Sequence, residues 1–336
     1  MNLKTPLQKI FQSPEIRNRW ALRSLQLAIG PLAAVGVFAL ADTNSGRLLH
    51  PWIGPLVWRI FWTIYTAFFF LATSSGFHET AHQFLSRGSS LDALLGRLMG
   101  TAMGVSFTAY LETHIRHHAK LNQETDWELW PYAQPSSSLL FRRIFVWIDL
   151  LLGCLTAPMI YSRIFFHSGS PLLFSSAWRK IAIEYLVILL FWGFILAHVR
   201  EVGNWEKFFR IWVIPFWIAG ILQSARKLTE HLGMEGLDGM SGTRTVVPGG
   251  VWSRISFFLN FEIFLHGPHH TRPLAGYSFW LKMARARQME ESSEVFPSYW
   301  AAIQNMVPHL FNPASGLKST TITTEAATID RGPISG

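Results

Sequence analysis

Cysteine is nearly absent from this chain: one residue, Cys154, in 336. That excludes an internal disulfide framework and a metal site built on thiolates. Charge is scarce too, at 15% of residues against 49% hydrophobic residues, and the 15 Trp and 26 Phe far exceed normal use. The length alone would allow two ordinary soluble domains, but a soluble chain this size needs more charge to cover its surface. No haem-attachment, flavin or nicotinamide fingerprint occurs. The formal net charge is +8, yet the basic residues are scattered, without the runs interleaved with aromatics that nucleic-acid binding uses. The first 20 residues carry Lys4, Lys9, Arg17 and Arg19 and no apolar core, so they do not read as a cleavable signal peptide.

The abundant feature is long apolar runs. Residues 24–41, 56–72, 181–199 and 208–225 are each long enough to cross a bilayer at about 1.5 Å per residue. They predict two hairpins, turning through residues 42–55 and 200–207. Two further apolar stretches carry charge: 91–111 has Asp92 and Arg97, and 139–161 has Arg142, Arg143 and, near its middle, Asp149. An aspartate at the bilayer centre costs about 2.5–3.5 kcal/mol on insertion scales, so both stretches are expected to lie in or dip into the interface. Basic residues then set the topology. Five precede the first crossing, nine lie in residues 74–180 and ten follow residue 225, which puts 24 of the 29 on one side. Both termini and the long segments are therefore expected in the cytoplasm. The fold class expected is an all-α integral membrane protein: a cytoplasmic segment 1–23, a membrane domain 24–313 with four crossings, interfacial helices and a histidine-rich cytoplasmic cap, and a disordered tail 314–336 rich in Thr, Ser and Gly.

Nine of the 13 histidines fall in tight groups on that cytoplasmic side: His78-x-x-x-His82, His114-x-x-His117-His118, His231, and His266-x-x-His269-His270. On a helix, positions i, i+3 and i+4 share a face, so each group can aim its imidazoles at one point. At this histidine content H-x-x-H-H is expected roughly 0.02 times per chain, and here it occurs twice. Imidazole suits Zn, Cu, Fe and Ni. Nine exceed what one tetrahedral zinc uses, and two metals of higher coordination number accommodate them. His50, His167, His198 and His309 are isolated and read as structural.

These groups and their spacing resemble the membrane fatty acid desaturase superfamily, which includes acyl desaturases, related hydroxylases and carotenoid ketolases. The resemblance runs over residues 76–281. The three boxes match His78–His82, His114–His118 and His266–His270, and His231 matches the extra ligand between the last membrane helix and the third box. Asn260 matches a position that approaches the metal through water in some members. The resemblance implies four membrane helices under a cytoplasmic cap, a non-haem centre of two Fe ions, and O2-dependent oxidation of an unactivated C–H bond of a lipid. Fatty acyl desaturation is the first expectation, and hydroxylation or ketolation of a carotenoid or other lipid the second. Gly267, Pro268 and Thr271-Arg272-Pro273 depart from the usual third box. Such chemistry needs carboxylates to orient the imidazoles, for which Glu79 and Glu230 stand first, with Glu112, Asp126 and Glu262 also in reach. Trp127 and Trp130 are candidates for a substrate entrance or for interfacial anchors. It also needs electrons from a separate ferredoxin-like or cytochrome-like donor, which a basic cytoplasmic face would attract. A more distant reading takes His78-Glu79-x-x-His82 as the H-E-x-x-H signature of an intramembrane zinc metalloprotease, with Asp238 as third ligand.

Overall fold

The computed structural model describes residues 55–82, 89–247, 249, 251, 263–273, 275, 277–290 and 292–314. The expected first crossing at 24–41, His50, Asn260, Glu262 and the tail from residue 315 lie outside them. The described chain is mostly helical, as expected of an all-α membrane protein.

Helix α1, Pro55–Ala81, contains the second expected crossing and runs nine residues past its apolar end, carrying His78 and leading into His82. The stretch 91–111 forms two helices, α2 Ser89–Met103 and α3 Phe107–Ala119. Gly104, at φ 74, makes the corner between them, and the Ser106 hydroxyl caps α3 by accepting from the Ala109 N–H at 3.1 Å. Glu184 fixes that corner to a later helix, accepting from Ser106 Oγ, from both Thr108 donors and from Arg97 Nε at 2.6–2.9 Å.

The stretch 139–161 also differs from one interfacial helix. It forms α4, Leu139–Leu151, and α5, Gly153–Phe166, bent by 120° at Leu152, a broken span or a re-entrant loop. Asp149 is not exposed to lipid. It is fully buried and accepts from Thr156 Oγ1 at 2.6 Å, Lys227 Nζ at 2.7 Å and Tyr132 Oη at 2.9 Å. Its charge is met inside the protein, which the insertion cost of an isolated aspartate does not include.

Helix α6, Ser176–Val202, contains the third expected crossing and ends on Gly203 in the left-handed region at φ 69. The chain returns through α7, Trp205–Phe208, a π-helical turn, Phe209–Val213, and α8, Ile214–His231. Ile183, Leu186, Leu189, Leu190 and Phe194 leave the outer side of α6 exposed and apolar, as a lipid-facing helix requires. By length and composition three described helical stretches, 59–81, 176–202 and 205–231, can cross a membrane, or four if the bent α4–α5 pair is one span.

Beyond α8 the chain forms β1, Thr245–Val246, α9, His266–Thr271, α10, Tyr277–Met289, β2, Val295–Phe296, and α11, Tyr299–Met306. The two short strands pair in parallel, Thr245 opposite Val295. Thr245 Oγ1 also accepts from the Gly267 N–H at 3.0 Å, and a Cβ at Gly267 would lie 2.6 Å from that oxygen. The unusual glycine of the third box is therefore required by the close approach of β1. Pro268 is tolerated because the first-turn N–H groups of a helix lack internal partners anyway.

Candidate metal centre

Four helices bring the nine clustered histidines together. α1 carries His78 and leads into His82, α3 carries His114, His117 and His118, α8 ends in His231, and α9 carries His266, His269 and His270. Eight are buried and His118 is partly buried. Their ring nitrogens form adjoining sets. His78, His82, His114, His118 and His269 each offer an atom within 4.8 Å of the others, and so do His117, His231 and His270. His266 joins the second set through His231, with Glu230 beside them. The sets touch where His118 stacks on His270, ring centroids 4.1 Å apart.

The spacing of donor atoms tests whether metal ions fit. Nε2 atoms approach at 2.9 Å for His82–His114, 3.1 Å for His114–His118, 2.8 Å for His231–His266 and 3.1 Å for His266–His270. At metal–imidazole bonds of about 2.1 Å, neighbours at right angles are about 3.0 Å apart and tetrahedral neighbours about 3.4 Å. The observed values fit the higher coordination number. Hydrogen bonds among the rings cannot explain the set, since among the described residues the two nitrogens of His78 and of His269 make no hydrogen bond although buried. The residues present fit two metal ions.

Carboxylates hold the other ring nitrogens. His117 Nδ1 lies 2.8 Å from Asp126 Oδ2, and His114 Nδ1 lies 2.8 Å from Glu128 Oε2. With Nδ1–H donated outward, each Nε2 faces inward, where a metal that replaces any proton on it would meet its lone pair. Asp126 is completely buried and accepts also from the backbone N–H groups of Asn122, Glu128 and Leu129 at 3.1–3.2 Å. Glu128 accepts from Tyr161 Oη at 3.0 Å, and Tyr110 stacks on the His114 ring at 5.2 Å. Burial lowers the pKa of His117, but Asp126 and Glu128 outweigh it and raise the imidazole to about 9. At Glu128, burial acts upward, yet His114 and His117 hold the carboxyl well below its usual range. His118, His266, His269 and His270 are pulled well below the usual histidine value, first by burial and then by neighbouring histidines, with Arg226 adding to the effect at His266. They stay neutral, the form in which imidazole binds metal.

Of the expected orienting acids, Glu230 lies 3.7 Å from His266 Nδ1 and Glu79 lies 3.6 Å from His78 Nδ1, both buried. Glu112 turns away to Arg116, four residues on. Glu128 is the acid that the sequence reading misses. It follows Asp126 by two residues in irregular backbone, where no helical period links it to His114. Trp127 and Trp130 do not line the cleft described below. Arg163 lies over both rings, at 5.4 and 4.2 Å. His167 and His198 are exposed, and His309 packs against Gly233. Asp238 is exposed and accepts from the Met240 and Ser241 N–H groups and the Ser241 hydroxyl, so His78 and His82 gather with histidines instead.

A cleft runs up to both sets. His78, His114, His117, His231 and His266 line it, and Phe70, Phe77, Ala157, Ile160, Phe216 and Ala219 supply apolar wall. α5 and α8 meet beside it at Gly153 and Gly220, where a Cβ on Gly153 would come within 2.3 Å of the Gly220 carbonyl oxygen.

A cleft with histidines and apolar wall among its lining narrows the family, and the family model named Fatty acid desaturase matches residues 54–304. The chain belongs to the fatty acid desaturase family. Among curated relatives, the chloroplastic omega-6 fatty acid desaturases of Brassica napus and Arabidopsis thaliana are each 23% identical, over 289 and 293 residues. Each match takes in 79% of this chain and 58% of the relative.

Proposed function

We propose that this desaturase-family protein is an O2-dependent non-haem di-iron oxidoreductase that desaturates a fatty acyl chain of a lipid. The observation that carries the reading is the convergence of nine histidines into two adjoining donor sets, five of them lining a cleft with apolar wall. The family match and the names of the two relatives support the lipid substrate. The reaction R–CH2–CH2–R′ + O2 + 2e⁻ + 2H⁺ → R–CH=CH–R′ + 2H2O removes two hydrogens from inert carbon, which no side chain can do by acid–base attack. Two iron ions, when bound, supply O2 activation and hydrogen abstraction. His78, His82, His114, His118 and His269 would hold one, and His117, His231, His266 and His270 the other.

The chain's own residues do the rest. Asp126 and Glu128 fix the tautomer and orientation of His117 and His114. The apolar wall aligns a methylene chain and keeps bulk water from the centre. Two electrons come from a separate donor protein. Both termini and the metal centre face the cytoplasm, on the side where the basic residues concentrate.

The test is to purify the protein from iron-replete cells and measure metals by mass spectrometry beside His117→Ala. The wild type should hold about two irons per chain and the variant clearly fewer. Lipids incubated with O2 and a reducing system should then gain a double bond, read by gas chromatography. O2 uptake with a hydroxylated or ketolated product would move the reading to that branch. Zinc that survives His117→Ala but is lost in His78→Ala would end the oxidase reading and restore the protease one.

A further inference from the structure

Helix α10 carries cations that nothing else on the described chain uses. Trp280 and Ala284, one turn apart, are buried and define its inner side. Lys282 and Arg285 share the opposite side, and both are exposed. Arg272, exposed at the end of α9, reaches the same helix with its guanidinium over the Phe279 ring at 5.4 Å. Among the described residues none of these three cations forms an ion pair, whereas Arg287 is taken by Glu290 at 3.2 Å.

Behind this face lies Trp280, the largest fully buried side chain among the described residues. Its ring meets His269 edge-on at 5.2 Å, and its Nε1–H donates to the Arg272 carbonyl at 2.9 Å. One buried aromatic thus joins an exposed cationic face to an imidazole of the first donor set.

We propose that the outer face of α10 docks a small acidic electron-carrier protein, with Trp280 as the packed connection to His269. The inference rests on the oxidoreductase reading above. In each docking the carrier's reduced centre loses one electron and the metal held by the histidines gains it, with no bond made or broken at Trp280. Two dockings supply the two electrons of the balanced reaction. Charge complementarity favours this occupant. Anionic lipid headgroups would attract the same cations. However, the large apolar side chains that α10 exposes among its described residues are Phe279 and Met289, too few to bed a helix in a bilayer.

The test uses the full chain in nanodiscs of zwitterionic lipid, with a plant-type [2Fe–2S] ferredoxin and the soluble haem domain of cytochrome b5 as probes. Binding is measured at about 10 mM and about 1 M salt, between which the Debye length falls from roughly 30 to 3 Å. At least one probe should bind, tighter at low salt. The pair Lys282→Glu and Arg285→Glu should weaken it about tenfold or more, while Arg200→Glu with Lys207→Glu, beyond the other end of the membrane helices, should not. Trp280→Phe, checked for equal metal content, should bind normally but slow anaerobic reduction of the metal several-fold.

Failure of both probes to bind, or unchanged binding after charge reversal, overturns the docking face. So does an effect of the reversal that appears only with anionic lipid. Unchanged reduction in Trp280→Phe overturns its role. Reduction by dithionite separates the two inferences. If dithionite supports product formation but no probe needs α10, docking alone falls. If no redox-active metal loads and a probe still needs Lys282 and Arg285, the oxidoreductase reading falls and the docking face stands.

Discussion

Asp126→Asn is the most incisive single change, because the buried carboxylate has donors on both oxygens. Oδ2 receives His117 Nδ1 at 2.8 Å and the Asn122 N–H at 3.2 Å, while Oδ1 receives the N–H groups of Glu128 and Leu129 at 3.1 and 3.2 Å. An asparagine must point its NH2 at one of these pairs. If it faces His117, the imidazole loses the acceptor that fixes its tautomer. If it faces the turn, two buried N–H groups are orphaned at about 1–3 kcal/mol each. Losing such an orienting partner typically lowers metal affinity 10–100-fold, or roughly 1.4–2.7 kcal/mol. The loss should fall on the set containing His117 and spare the set of five. Glu128→Gln should be milder, since a flipped amide can still accept from His114 while donating to the Tyr161 oxygen. The assay is metal per chain against increasing chelator, with a thermal melt to show that the variant is folded. Asp126→Asn should release one metal at 10–100-fold lower chelator and keep the other. A titration that overlays the wild type, or equal loss of both metals, would refute the reasoning.

Gly153→Ala should destabilise the fold by about 1–3 kcal/mol, because the added methyl meets the Gly220 backbone, which cannot step aside. Gly193→Ala, with open space around it inside α6, should be neutral or slightly stabilising, and paired thermal melts in detergent compare the two. Lys227→Met should cost roughly 3–5 kcal/mol by leaving buried Asp149 without its cation. The double change with Asp149→Leu should recover much of that, a sign that a double-mutant cycle reads directly. Ala157→Phe should fill the cleft and shift product distribution toward shorter chains or another bond position, with metal content unchanged.

The sequence made the histidines legible because their i, i+3 and i+4 spacing is a property of the helices that carry them. What it could not show was the length of those helices. α1 and α8 outrun their apolar stretches, which end near Ala72 and Ala225, because protein packing, not lipid, surrounds their last turns. Thr80, Leu228 and Thr229 are buried there among other helices. Asp149 misled for a related reason: an insertion cost measures a residue alone, and Lys227, Thr156 and Tyr132 meet it only once the fold forms. Asp126 was within reach from the sequence, nine residues after His117, but Glu128 acts from irregular backbone with no period to link it to His114. The histidine spacings could be read from single helices, whereas the pairing of Asp149 with Lys227 and of Glu128 with His114 forms only in the fold.

The acids around the centre explain why the metals should matter to folding as well as to chemistry. Imidazole binds metal in its neutral form, so two divalent ions would add four positive charges to a region with much apolar wall. Asp126, Glu128, Glu79 and Glu230 stand at or near the outward nitrogens of His117, His114, His78 and His266, and all four are buried or partly buried. Among the described residues Arg226, buried 3.9 Å from Glu230, and His117, raised to about 9, offset part of their charge. Without metal the carboxylates still oppose one another in low dielectric, a cost that bound cations reduce. Stability should therefore rise with free metal as RT ln(1 + [M]/Kd), about 4.1 kcal/mol at a thousandfold excess over Kd. Stripping the metals should lower the melting temperature by several degrees, and adding iron back under anaerobic conditions should restore it. A His117→Ala variant should recover only part of that shift, since one donor set is then incomplete. If the stripped and loaded proteins melted together, the buried acids would be balanced by the chain alone, and their placement around the histidines would need another cause.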